Sequence, residues 1–114
     1  MKLINKSKNL DEKDFIMRLQ NGYILFVEYE YEENNKQFEI YYTLLRYKDE
    51  GKSIFLLTIR AGDPNYWWEP ADQRDERYEF SSSEESLKFL KEKENFKISD
   101  WGYRKGSFMR KNEK

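Results

Sequence analysis

The chain has 114 residues, no cysteine, no histidine and a formal net charge of −1. These counts exclude disulfides, thiolate nucleophiles, Cys/His zinc sites and imidazole acid–base chemistry, and they remove the simplest electrostatic argument for nucleic-acid binding. Charged residues make up 38% of the chain, yet eight Phe, nine Tyr and three Trp supply enough large apolar area for one folded domain with a thin aromatic core.

The start, MKLINKSKNLDEKD, has no apolar h-region, and no apolar run is long enough to span a bilayer. A cytoplasmic protein without membrane contact is therefore the expectation. Asn9 with Glu12 three residues on reads as a capping arrangement for a first helix that stops at Asn21-Gly22. Phe15, Ile16 and Leu19 share its one apolar side.

From Tyr23 the period becomes two. Tyr23, Leu25, Val27, Tyr29 and Tyr31 point one way, and Ile24, Phe26, Glu28, Glu30 and Glu32 the other. Asn34-Asn35 tolerates positive φ and predicts a hairpin into a second strand, Gln37 to Lys48. Asp49-Glu50-Gly51 reads as a three-residue loop into a third strand, Ser53 to Arg60, whose IFLLTI run makes it the expected centre of the sheet. Ala61 to Arg77 holds both prolines, which forbid regular ladder pairing where they stand. A short strand, Tyr78 to Phe80, follows.

Ser82 with Glu85 opens a second helix, Ser83 to Glu94, whose acids lie early and lysines late, as the helix dipole favours. Leu87, Leu90 and Phe89 form its apolar side. A last extended piece runs from Phe96 to Tyr103. The predicted fold is α+β: an antiparallel sheet, made of a three-stranded meander plus one or two further strands, with two short helices in the order α-β-β-β-β-α-β. Residues 1–104 form the single domain, and 105–114 a frayed basic tail.

Charge is distributed unevenly. Residues 21–35 carry four Glu and no base, 61–80 carry six acids against Arg74 and Arg77, and 96–114 carry six bases against two acids. The segment with Asp63, Tyr66, Trp67, Trp68, Glu69, Asp72 and Asp75 is the candidate partner-binding site. Neighbouring side chains diverge on an extended backbone, so Trp67 and Trp68 cannot both enter one core from it. An exposed indole buries area at low entropic cost, and adjacent acids steer a basic protein toward it. The competing reading is that both rings plug an open end of the sheet.

Other chemistries have weaker support. The loop acids lack the spacing and turn glycine of an EF-hand, and Arg74 and Arg77 can neutralise them, so no metal is expected. No glycine-rich phosphate loop exists, so no nucleotide cofactor is expected either. Glu28, Glu30 and Glu32 read as solvated sheet-face acids. Tyr41, Arg46, Tyr47 and Arg60 could assemble a metal-free nuclease site, but a pI near 5.7 argues against a surface for phosphates. The tail from Trp101 to Lys114 interleaves aromatics with cations and could hold single-stranded nucleic acid. Tyr23, Tyr29, Tyr42, Trp101 and Tyr103 could instead line a small-molecule pocket.

The leading expectation is a non-enzymatic inhibitor or immunity-type protein that neutralises a basic partner through the Trp-bearing loop. A small-molecule or nucleic-acid module is the alternative. A homodimer through a bare sheet edge is compatible with either, with Glu28 to Glu33 protecting another edge.

Overall fold

The computed structural model describes residues 1–63, 74–94 and 96–106. A two-residue strand, β1 (Lys2–Leu3), opens the chain; so short a segment carries no readable alternation. Helix α1 (Glu12–Gln20) is capped by Asp11, whose carboxylate accepts the Asp14 N–H at 2.7 Å. The cap therefore lies two residues beyond Asn9. Asn9 instead turns the chain at φ 51°, and its N–H is held by the Ser7 hydroxyl at 3.1 Å. Asn21 ends the helix and Gly22, at φ 87°, redirects the chain into the sheet.

Strands β2 (Tyr23–Glu33) and β3 (Lys36–Asp49) are joined by Asn34 and Asn35, both in the left-handed region at φ 52° and 66°. That pair of positive φ angles matches the right-handed twist of the flanking strands. Strand β4 (Lys52–Gly62) follows a second two-residue turn, Glu50 at φ 51° and Gly51 at φ 81°. Asp49 is paired with Lys52, so it closes the ladder rather than belonging to a three-residue loop.

Strand β5 (Arg74–Phe80) is longer than the sequence pattern indicates, because Arg74 to Arg77 pair with Ala61 to Thr58 of β4 once the prolines are passed. Helix α2 (Ser83–Lys93) is capped by Ser82, which accepts the Glu85 N–H at 3.1 Å. After it comes a single 3₁₀ turn, Ile98–Asp100, and then β6 (Gly102–Lys105). The last segment is thus a turn plus a strand, not one extended piece, and β6 runs one residue into the segment read as tail. Residues 107–114 lie outside the described residues.

All six strands form one antiparallel sheet in the order β1-β2-β3-β4-β5, with β6 also on β2. Strand β3, not β4, is central. The outer side of β2 is divided between β6, opposite Tyr23 to Phe26, and β1, opposite Tyr29 and Glu30. Between them the Ile4 N–H reaches the Glu28 carbonyl, and the Asn5 side chain takes the Glu28 N–H. Glu28 to Glu30 therefore lie on a covered strand and do not guard an edge.

One face of the sheet is covered. Leu25, Val27, Leu44, Leu57 and Ile59 meet Phe15 and Leu19 of α1 and Leu87 and Leu90 of α2. Burying each such side chain is worth about 1.5–3 kcal/mol, which holds helices too short to persist alone. The helices run antiparallel, with Lys91 bonded to Glu12 and Gln20 donating to Ser83 at 3.0 Å. Small Ser83 and Ser86, both buried, let α2 approach the layer below it. Trp101 closes the core at 0% exposure, edge-on to Phe15 at 5.2 Å and to Phe96 at 5.8 Å. No helix of the described residues is long and apolar enough to cross a membrane.

Candidate binding surface

The opposite face of the sheet carries no helix among the described residues, and the strand register orders it in rows. At the end nearest the β2–β3 turn Glu32 faces Gln37, and the row after it has Glu30 directly opposite Glu39. In the next row Glu28, Tyr41, Arg60 and Asp75 follow one another across four strands. Below it lie Gly102, Phe26, Thr43, Thr58 and Arg77, and then Leu45, Leu56 and Glu79. Tyr47 and Ile54 finish the series, with the Tyr47 hydroxyl donating to Glu79 at 3.1 Å. Ile24, Phe26, Tyr41, Leu45, Tyr47, Ile54 and Leu56 are all only part-buried. The result is an aliphatic and aromatic floor with an acidic end.

Two local features shape this floor. A Cβ at Gly102 would come within 3.0 Å of the Phe26 ring, so the glycine lets that ring lie across the neighbouring strand. Arg104 sits 5.5 Å from the centre of the same ring on its outer side. At the acidic end, burial first and the Glu39 carboxylate second push the Glu28 carboxyl above its ordinary value. Lys2 bonds Glu30 at 3.6 Å, from a side chain that is 79% exposed. Among the described residues no three carboxylates converge closely enough to hold a metal ion.

The sequence-derived site divides at this end of the sheet. Asp75 is exposed on β5 opposite Arg60, and Asp63 is half-buried one residue beyond β4. Tyr66, Trp67, Trp68, Glu69 and Asp72 lie outside the described residues. Because Ala61 pairs with Arg74, the two ends of the Trp-bearing segment leave neighbouring strands beside the Glu30–Glu39 row. The acids of residues 21–35 and those flanking the loop, read separately along the sequence, are thereby brought to one end of the molecule.

Of the acids in and beside the loop, Arg74 pairs with Glu76, while Glu69 and Asp72 lie outside the described residues. Arg74 lies on the covered face, where its guanidinium grips Glu94 at the end of α2 through two bonds of 3.0 Å and also bonds Glu76. Tyr42 donates to the same Glu94 at 2.7 Å, and Tyr78 donates to Glu76. Hydrogen bonds from Arg74 hold the Glu76 carboxyl below its usual range, while burial first and Glu94 second raise the Tyr42 phenol. Every charge in the cluster has a partner, so its chemistry is that of an anchor that seats the returning chain. Sequence inspection misses it, because Arg74 and Glu94 are twenty positions apart with no periodic relation.

The other candidate groupings come apart. Tyr41, Tyr47 and Arg60 share the uncovered face, but Arg46 is paired with Phe55 on the covered one. Trp101 is fully buried and cannot stack a base. The five residues of the imagined pocket separate into packed groups. Tyr23 and Tyr103 meet edge-on at 5.5 Å beneath the Arg18 guanidinium, Tyr29 donates to Asp100 at 2.7 Å, and Tyr42 leans on Trp101. A groove of about 790 Å³ between the two helices has Ile16, Met17 and Leu87 along it, but Glu12, Glu84 and Glu92 alternate with Lys13, Lys88 and Lys91 on its rim. That mixture expresses no preference for the sign of a ligand. Comparison with protein-family models, with curated proteins and with solved structures returns no match to this chain.

Proposed function

We propose that this domain is a non-enzymatic, inhibitor or immunity-type protein that captures a basic protein partner. Its contact surface is the uncovered sheet face together with the Trp-bearing loop that leaves the acidic end of that face. The observation that carries the reading is the Glu28, Glu30 and Glu39 group standing over a part-buried aromatic floor. Like charges directly opposite on a sheet destabilise it, by about 0.2–1 kcal/mol per pair. A basic partner relieves that repulsion on docking. The acids then raise the association rate by steering, while Phe26, Tyr41, Tyr47 and the loop indoles slow release by burying area.

The test is affinity capture from the native host with four baits: the parent, Glu28→Gln/Glu30→Gln/Glu39→Gln, Trp67→Ala and Trp68→Ala. The parent should retain a basic protein that the triple variant loses. With that protein purified, its association rate should fall with added salt more than its dissociation rate rises. Identical capture by all four baits would remove the proposal.

A further inference from the structure

The sheet has two lateral edges, and among the described residues only one of them is closed. The outer side of β2 is tiled by β1, the Asn5 side chain and β6, whereas β5 pairs with β4 alone and no described strand lies on its outer side. Natural sheets blunt such edges with proline, bulges, very short strands or charged side chains, lysine above all. On β5 the charges are of both signs, with Arg74 and Glu76 turned to the covered face. Strand β5 is a seven-residue run, RDERYEF, in unbroken register, with neither proline nor lysine.

Its charges follow a particular order. Asp75, Arg77 and Glu79 alternate in sign on the uncovered face, and Arg74, Glu76, Tyr78 and Phe80 lie on the other. Two antiparallel copies of β5 can meet in only a few registers that keep each face on its own side. Centred on Arg77, the pairing sets Arg77 against itself and Asp75 against Glu79. Centred on Glu79, it opposes the two Glu79 carboxylates; centred on Glu76, it sets Asp75 against Arg77 twice but still opposes the two Glu76 carboxylates. Centred on Tyr78, it places Arg77 opposite Glu79 of the second copy, twice by symmetry, and sets Glu76 opposite Phe80. The Glu76 charge is already held by Arg74 and Tyr78, so that contact leaves no carboxylate without a partner.

We infer that β5 is a self-recognition edge, on which a second copy of this chain adds in the Tyr78-centred register to make one continuous twelve-stranded sheet of two six-stranded halves. The pairing is isologous, so it closes after two copies and does not propagate. It continues the uncovered face from one copy to the next. A seven-residue edge is small beside the roughly 1,200–2,000 Å² of a standard stable interface, so a dissociation constant in the micromolar range is expected.

Sedimentation equilibrium over about 1 µM to 1 mM reads the association directly. The parent should move from 14.1 kDa toward twice that mass across the range. Arg77→Glu and Glu79→Arg should each weaken the dimer at least tenfold while circular dichroism and melting stay near those of the parent. Mixing the two single variants should restore association, because each supplies the charge that the other lacks. The double variant Arg77→Glu/Glu79→Arg should self-associate again. A parent that stays at 14.1 kDa throughout overturns the inference. So does a dimer weakened by Arg77→Glu but not by Glu79→Arg, or a mixture that fails to recover. None of these readings requires the basic partner, so this inference and the proposed function can fail independently.

Discussion

Asn5 accepts the backbone N–H of Glu28 at 2.8 Å and donates through its side-chain nitrogen to the Asp100 carbonyl at 3.0 Å. One amide thus substitutes for the missing ladder bond between β1 and β6 and ties the start of the chain to its end. The Ser7 hydroxyl adds a second tie, to the Ser99 carbonyl. Replacing Asn5 by Ala leaves a part-buried N–H and a carbonyl without these partners, and should cost about 1–3 kcal/mol in urea unfolding. Asn5→Asp keeps the acceptor but brings a carboxylate to the Asp100 carbonyl, so it should not restore the parent value.

Glu28 and Glu39 lie diagonally across β2 and β3 and repel each other. The folded state holds the Glu28 carboxyl above 4.5, so folding favours its protonated form. The penalty is full above the folded value and fades as pH falls through it toward the unfolded one. Glu28→Gln and Glu39→Gln should each stabilise the domain at pH 7 by about 0.2–1 kcal/mol, and the gain from Glu28→Gln should fade as acid protonates the Glu28 carboxyl. The same variants should weaken partner capture, so stability and binding would move in opposite directions.

Arg74, the first residue of β5, ties that strand to the C-cap of α2 through Glu94, which is only 12% exposed. Arg74→Leu removes the cation from two carboxylates at once. Arg74 itself is one-third exposed, so solvent screening tempers the loss to about 1–3 kcal/mol at neutral pH. Glu76 is held below 4.5 when folded, and its contribution is present above the unfolded value and lost as pH falls through the folded one. The gap between parent and variant in denaturant midpoint should therefore narrow below about pH 4.

Glu50 occupies a left-handed conformation at φ 51° in a turn where Asn or Gly is at ease. Its side chain is exposed and bears no part in the surface described above. Glu50→Asn should raise the stability by about 0.5–1 kcal/mol in a thermal melt, with no effect on dimerisation or partner capture. Glu50→Val, branched at Cβ, should lower it.

What could be read from the residues alone is what neighbours along the chain decide. The alternation from Tyr23 to Glu32 separates the two faces of β2, Asn34-Asn35 specifies a tight turn, and Ser82 with Glu85 starts α2, because each is a short-range consequence of side-chain direction or hydrogen bonding. The α+β class and the order of the main elements follow from those local signals. Tertiary structure alone decided the rest. Arg74 to Arg77 become a strand because β4 offers a ladder, Leu3 and Tyr103 become sheet residues because β2 has room on its outer side, and Trp101 enters the core because Phe15, Tyr42 and Phe96 surround it. Glu28 and Glu39 form one acidic group for the same reason. Burial and charge at those positions depend on which distant surfaces meet, and no periodicity along a single strand carries that information.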